Sequence, residues 1–302
     1  MLLEENWPEL LQPDLRVIFD KHSKKYQDFI PEIANADVST KYQEFNLGLG
    51  ELGTMDPWSG QVSYEDFNKG FKSTYTHQKY SKGISIEREL LEDDMYNAIK
   101  QRVQKLSYSV YYTRQTQFAS IFNGAFSGAG WRGQPLLGPD SVSLCNASHP
   151  IMPNSSTYLN NLGTLQLTAN NLEQTRTNMK QWVDDKGNIL MINPDTLIVP
   201  PSLRKTAMII AETDEEPETT DHGVNVWHGI LKVIEVPFIN FSASWFVVDS
   251  ERAKLYLNWF DRRKPDFDDK VEFDSEAAKY KTVGRWSYGW DDPSWIYGHY
   301  LG

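Results

Sequence analysis

Gly48, Gly50 and Gly53 fall in the spacing G-x-G-x-x-G, which in a nucleotide-binding protein turns a strand into a helix whose first amides hold a pyrophosphate. That chemistry needs a strand before the glycines and a helix after them. Here Asn46-Leu47 precede and Thr54-Met-Asp-Pro57-Trp-Ser-Gly60 follow, which is turn text, so the glycines read as flexible hairpin positions. Ser202 and Lys205 match S-x-x-K, but without S-D-N or K-T-G companions they read as a helix cap and a solvated lysine. The stretch 124–128 misses the nucleophile elbow by one position. His22, His77, His149, His222, His228 and His299 form no zinc-ligand spacing. Cys145 and His149 are close in sequence, yet nothing adjacent activates the thiol. Asp266, Asp268, Asp269, Asp291 and Asp292 lack the glycine and closing glutamate of a calcium loop. No catalytic residue, cofactor or metal site is expected, and the chain does not read as an enzyme.

Composition narrows the classes further. The net charge is −11 over 302 residues, which opposes a general nucleic-acid reader, because phosphate binding needs a basic face. One cysteine permits no intramolecular disulfide and fits a reducing compartment. The acidic, proline-broken start is neither a signal nor a transit peptide, so the sequons at Asn146 and Asn154 read as chance matches. No apolar run is long enough to cross a bilayer. Ten Trp, fifteen Tyr and fourteen Phe give a large aromatic inventory, much of it in segments that read as exposed, as interfaces prefer.

The elements explain where those aromatics stand. Residues 1–45 carry one short helix signal, over 15–25, and read as an arm lying on something else. Residues 46–84 interleave Gly, Ser, Thr and Asp with Trp58, Tyr64, Phe67, Phe71 and Tyr75, and 71–77 alternate with period two. They read as a long hairpin with no core beneath it, whose open edges invite a second chain. The five aromatics are the predicted subunit interface. Residues 85–122 read as one unbroken amphipathic helix capped by Ser85, about 55 Å long. Such a helix suggests an elongated subunit resting on neighbours; a long helix crossing one large domain is the plainer reading. Beyond it the spacing predicts a helix over 168–184 capped by Thr168 or Asn170, a buried strand over 196–199, and a helix over 203–211 capped by Ser202. Strands are expected at 224–227, 230–236, 245–248, 254–259, 271–273 and 279–290. The acidic loop 212–222 reads as a solvated charge run. The fold class is α+β with mixed, largely antiparallel sheets.

Three pieces in fixed order carry a family resemblance. Ile84-Ser85-Ile86-Glu87 introduces the long helix. Gly133-Gln-Pro135-Leu136-Leu137 is followed by His149-Pro150. Then comes Gly187-Asn-Ile-Leu190 through Pro194, Leu197, Pro200-Pro201 to Ala207, with Trp245-Phe-Val-Val-Asp249 further on. Over about residues 40–300 the chain resembles the tailed-bacteriophage major capsid proteins of the Hong Kong 97-type fold, most closely the Mu-like major head subunit group. The spacing between Gly138 and His149 exceeds the family's, which implies an extra loop.

The resemblance implies an N-terminal arm (1–45), an extended hairpin or E-loop (46–84), a peripheral domain (85–126 and 251–302) and an axial domain (127–250). It implies self-assembly into pentamers and hexamers of an icosahedral head that encloses double-stranded DNA without reading its sequence. Separate scaffolding, portal and decoration proteins, a place in the virion, assembly in the host cytoplasm and no membrane partner follow. Asp214, Glu215, Glu216 and Glu218 would then gather as an axial loop. Arg262, Arg263 and Lys264 are the candidates for facing DNA, although acids surround them. Lys69, Lys72, Lys79 and Lys82 lie in the hairpin, but no glutamate is assignable to a Lys–Asn crosslink. An encapsulin-type cellular shell and a soluble binding module or hydrolase are the alternative readings.

Overall fold

The computed structural model describes residues 7–93, 95–215, 224–271 and 277–301. The first described element is helix α1 (Trp7–Ser23), followed by a single turn, α2 (Ile30–Ile33), and strand β1 (Asn35–Val38). Helix α1 packs on its own chain. Leu15 and Phe19, four residues apart on one helix face, are buried against Ile99, Val103 and Leu106. Strands β2 (Gln43–Leu49) and β3 (Lys69–Thr76) form an antiparallel hairpin, and β4 (Gln78–Ile86) leaves it for another sheet. The predicted alternation holds: Ser73, Tyr75 and His77 point inward, while Lys72, Thr74 and Thr76 face solvent. The hairpin is shorter than 46–84, because residues 50–68 between its strands form no regular element.

The long helix is also shorter than its sequence suggests. Ser85 is no cap; it sits in β4, paired with Lys279. A turn of helix, α3 (Glu89–Glu92), follows, and the main helix α4 runs from Tyr96 to Asn123, 28 residues or about 42 Å. Ile84-Ser85-Ile86 already alternates as a strand does, and pairing with a buried neighbour outweighs the acidic residues that read as a helix start.

Short strands β5 (His149–Pro150), β6 (Tyr158–Leu159) and β7 (Leu162–Gly163) lead to α5 (Ala169–Lys180). Thr168 caps that helix as expected, its side chain accepting from the Asn171 amide. Strand β8 (Thr196–Val199) is wholly buried, as its continuous apolar run predicts. Helix α6 (Arg204–Glu212) starts at Leu203 with no side-chain cap, since Ser202 Oγ donates instead to the Ser242 carbonyl. Of the expected strands over 224–236, only β9 (Lys232–Glu235) is formed; 226–230 are turns. After β10 (Trp245–Val248), residues 254–256 are helical rather than extended. Asp249 accepts from the Glu251 and Arg252 amides and so starts α7 (Ser250–Tyr256). A ribbon of β11 (Leu257–Val271) and β12 (Ala278–Trp290) follows, and β13 (Ile296–His299) ends the series.

Two sheets organise these pieces. The order β1-β11-β12-β4 makes one, and β7-β13-β10-β8-β9 the other. The final strand therefore pairs within the sheet built by 127–250, across the division placed at 251. The register of β11 on β12 shifts on both sides of Arg263, next to Pro265, which has no amide to give the ladder.

His299 shows how tightly β13 is held. Its ring is 1% exposed and stacks 4.1 Å from Trp245. The Leu165 amide donates to Nδ1 at 3.0 Å, so Nε2 carries the proton and meets Thr175 Oγ1 at 2.9 Å. A second proton on Nδ1 would confront that amide, and burial lowers the ring's pKa to about 4. The unfolded ring, near 6.5, then binds a proton that the folded ring refuses, so stability present at neutral pH is lost as pH falls from 6.5 toward 4. Chemical denaturation of the isolated chain should show a loss from this ring of at most about 3 kcal/mol across that window. It is read as the difference in pH slope from His299→Gln; equal slopes would count against the assignment.

Candidate assembly surface

The glycines of the nucleotide-like motif shape the hairpin. A Cβ on Gly70 would lie 2.8 Å from the Gly48 backbone, and one on Gly50 would lie 2.6 Å from Asp185 Oδ2. The strands thus cross at two glycines where the register shifts between Leu47 and Leu49. From there the chain leaves as the loop 50–68, clamped at its base. Asp185 accepts from the Glu51 amide and from Asn68 Nδ2, each at 2.9 Å. Burial works to raise the Asp185 pKa, but these hydrogen bonds outweigh it and leave it lowered. Glu65 pairs with Lys186 and accepts from the Gly53 amide; the lysine holds its carboxyl below the usual range. The turn at 184–187 was legible as a turn, but its role as anchor was not, because the partners lie more than a hundred residues away.

Beyond the clamp the loop is bare. Met55 is 98% exposed, Trp58 75%, Tyr64 93% and Phe67 53%. Tyr42, Phe45, Leu47 and Leu49 on and before β2 are also exposed, so apolar surface is continuous from the strand into the loop. Isolated exposed apolar residues are ordinary, whereas a run of this kind marks a contact surface.

The five predicted interface aromatics divide. Trp58, Tyr64 and Phe67 are exposed, Phe71 is half-buried, and Tyr75 is packed inside its own subunit at 5% exposure. The Tyr75 ring meets Phe260 edge-on, and its hydroxyl donates to Asp291 Oδ1 at 2.6 Å. Burial, then the Asp291 charge, pushes the phenol pKa up. Asp291 Oδ2 accepts from Asn46 Nδ2 at 2.7 Å and from Asn258 Nδ2 at 2.8 Å. One carboxylate therefore ties both hairpin strands to β11, and Tyr75 belongs to that joint.

Of the acidic loop, Asp214 and Glu215 are exposed, and Asp214 Oδ1 lies 3.1 Å from His228 Nδ1. Glu216 and Glu218 lie outside the described residues. Buried Asn225 closes the base, donating at 2.7 Å to the Ile210 and Thr213 carbonyls. The other chemical candidates have structural partners. His149 Nδ1 is 2.6 Å from Asp140 Oδ2, and Cys145 packs under Gly298 with its thiol pKa raised by burial. Among the described residues no three His, Cys, Asp or Glu side chains gather to hold a metal. No helix among them is long and apolar enough to cross a membrane.

Residues 71–298 match the family model described as phage capsid protein. The chain belongs to the phage capsid protein family. Solved structures agree in fold. The capsid of a native GTA particle matches with a TM-score of 0.57 at 9% identity, covering 90% of this chain and 89% of that one. A virus-like particle from Pyrococcus furiosus gives 0.56 at 11%, covering 95% and 98%. The bacteriophage PhiM1 mature capsid gives 0.55 at 11%, covering 91% and 87%. The architecture is the Hong Kong 97-type capsid fold, and the chain is a major capsid protein with a structural role. No curated protein sequence matches it.

The division among the aromatics is measurable. Tyr75→Ala should destabilise the isolated subunit by about 3–5 kcal/mol, as loss of a buried ring does. Trp58→Ala should change it by no more than about 0.5 kcal/mol. Urea denaturation of both variants checks this, and equal losses would contradict the placement of the two rings.

Proposed function

We propose that copies of this chain associate into pentamers and hexamers, the building blocks of an icosahedral head around double-stranded DNA. The observation that carries the reading is the exposed apolar run from β2 through the loop 50–68, which the subunit leaves uncovered. The family match favours a phage shell over an encapsulin-type cellular shell or a soluble binding module. The motif run from Gly187 to Ala207 supports the Mu-like head subunit group. We assign 1–45 as the arm, 46–84 as the extended hairpin, 85–126 with the β11–β12 ribbon as the peripheral domain, and 127–250 with β13 as the axial domain. Asp214 and Glu215, with Glu216 and Glu218, would face the capsomer axis. The subunit's place is the virion, after assembly in the host cytoplasm with separate scaffolding, portal and decoration proteins.

DNA would be held by confinement and counterions. Within the basic run 262–264, Arg263 pairs with Asp266, and on the neighbouring strand Lys281 pairs with Asp268 at 3.2 Å. A chain with a net charge of −11 offers phosphates little.

The purified 34.8 kDa chain should sediment as capsomers or shells. Replacing residues 55–63 by a Gly-Ser segment should leave a folded monomer by circular dichroism that no longer assembles. A wild-type chain that stays monomeric at every accessible concentration and salt would overturn the reading. Free capsomers should show no binding to duplex DNA at micromolar protein in 150 mM salt, where nonspecific binders have dissociation constants of about 10⁻⁴ to 10⁻⁶ M. Tight binding in a gel-shift assay would show that a basic face has been missed.

A further inference from the structure

A cavity opens at the root of the hairpin. It has a volume of about 370 Å³, within the range that holds small ligands, and three parts of the chain wall it. Residues 46–51 and 70–71 of the hairpin form one side, residues 139–140, 149–152 and 183–185 another, and the junctions 252–256 and 291–294 the third. Phe71, Ile151, Met152, Leu159 and Leu190 supply apolar wall, and Leu255, 67% exposed, stands at the mouth.

Glu51, Asp140, Asp184, Asp185, Asp291 and Asp292 line it against one cation, Arg252. Among the described residues no lysine or arginine forms an ion pair with any of the six. Their hydrogen-bond donors are amides, a phenol and an imidazole, which leave the negative charges in place. Arg252 donates instead to Ser294 Oγ at 2.7 Å and lies 5.2 Å from the Tyr256 ring. His149 is a second and independent signal. It is 1% exposed and borders the cavity, with Nδ1 2.6 Å from Asp140 Oδ2. A carboxylate at that distance keeps the proton on Nδ1, so Nε2 presents a lone pair, and that atom is buried with no partner. An acceptor left so costs free energy until a donor reaches it. Among the described residues no three ligand side chains converge as a metal requires, so the negative charge is spread along the cavity.

We infer that this cavity binds an aliphatic diamine or polyamine. The methylenes of such a ligand lie on the apolar wall, one ammonium group donates to His149 Nε2, and the carboxylates around it balance the charge. An anion would meet six like charges, and a compact divalent ion would find no converging ligands. A flexible organic cation with its charges spaced along an apolar chain matches both the spread of the acids and the wall between them. The ligand would touch the hairpin root and both opposing walls, and so would hold the hairpin where it leaves the body. The site is complete within one copy, so it stands apart from self-assembly. Asp140 and His149 bracket the interval whose length departs from the family resemblance, which makes the site a property of this chain.

Equilibrium dialysis of the purified chain against labelled 1,5-diaminopentane in 150 mM salt tests this. It should show one saturable site per copy with a dissociation constant below about 1 mM. Pentane-1,5-diol, which keeps the chain and loses the charges, should not displace the label, and neither should magnesium chloride at matched ionic strength. His149→Phe removes the acceptor and should weaken binding by at least about tenfold. That change also unpairs buried Asp140, so Leu255→Lys, at an exposed position, is the second variant. Its own ammonium competes at the mouth and should weaken binding by a similar factor, with the circular dichroism spectrum unchanged. Binding that does not saturate would overturn the site, and so would displacement of the label by the diol or by magnesium at matched ionic strength. Diamine binding that a folded Leu255→Lys chain retains in full would overturn it as well. None of these outcomes bears on whether the copies assemble.

Discussion

Helix α4 must serve two hydrophobic clusters with one stripe. Near its start, Ile99, Val103 and Leu106 are buried with Leu15 and Phe19 of α1 and with Phe267 and Tyr280 of the ribbon. Near its end, Phe118, Ala119, Ile121 and Phe122 lie in the larger core, with Trp259, Phe246 and Ile198. A helix is stiff, so the distance between those clusters is fixed once both are filled. The middle of the helix is polar yet largely covered, and there specific hydrogen bonds replace apolar packing. Ser107 donates to the Phe19 carbonyl at 2.7 Å, Gln115 donates to Asp28 at 2.7 Å, and Gln117 accepts from Trp286 Nε1 at 2.6 Å. Each bond closes off a group that would otherwise cost about 1–3 kcal/mol to bury. Arm, ribbon and hairpin are all located relative to that rod.

Arg114 joins the rod to the ribbon. Its guanidinium donates twice to Asp261, at 2.7 and 3.0 Å, and lies 4.9 Å from the Trp259 ring and 5.3 Å from that of Trp286. A covered ion pair is weak evidence for stability, because desolvation cancels much of the attraction. It is stronger evidence for position, since a forked donor accepts few geometries and the aromatic faces restrict them further. The pair sits where β11 begins to bulge, at Asp261, and so fixes the point at which the ribbon bends. Together with Asp291 at the hairpin root, it sets the direction in which the loop 50–68 leaves the body.

Local signals in the sequence were read well where one residue decides the outcome. Thr168 caps α5 because its hydroxyl has an orphan amide within reach, and the run 196–199 is a buried strand because Thr196 and three apolar residues end at two prolines. They failed where distant partners decide. Ser85 stands before a string of acids, as a helix start does, but β12 captures it. One local signal was also missed: residues 254–256 look extended, yet the adjacent cap at Asp249 turns them into helix. The interface residues show the same limit. Trp58 and Tyr75 belong to one aromatic-rich stretch, and only the fold reveals that one is bare and the other is bonded to Asp291.

The acidity of the chain becomes intelligible in a subunit that displays so much apolar surface. At −11, two copies repel at low ionic strength, and beyond about one Debye length, roughly 10 Å at 0.1 M salt, that repulsion is largely screened. Nonspecific encounters through Met55, Trp58 or Tyr64 bring acidic surfaces together and gain only partial burial. Net charge then acts against most orientations, which is how electrostatics contributes selectivity without much affinity. The loop carries its own acids, Glu51, Asp56, Glu65 and Asp66, so a contact that buries its rings must also place those carboxylates beside cations or water.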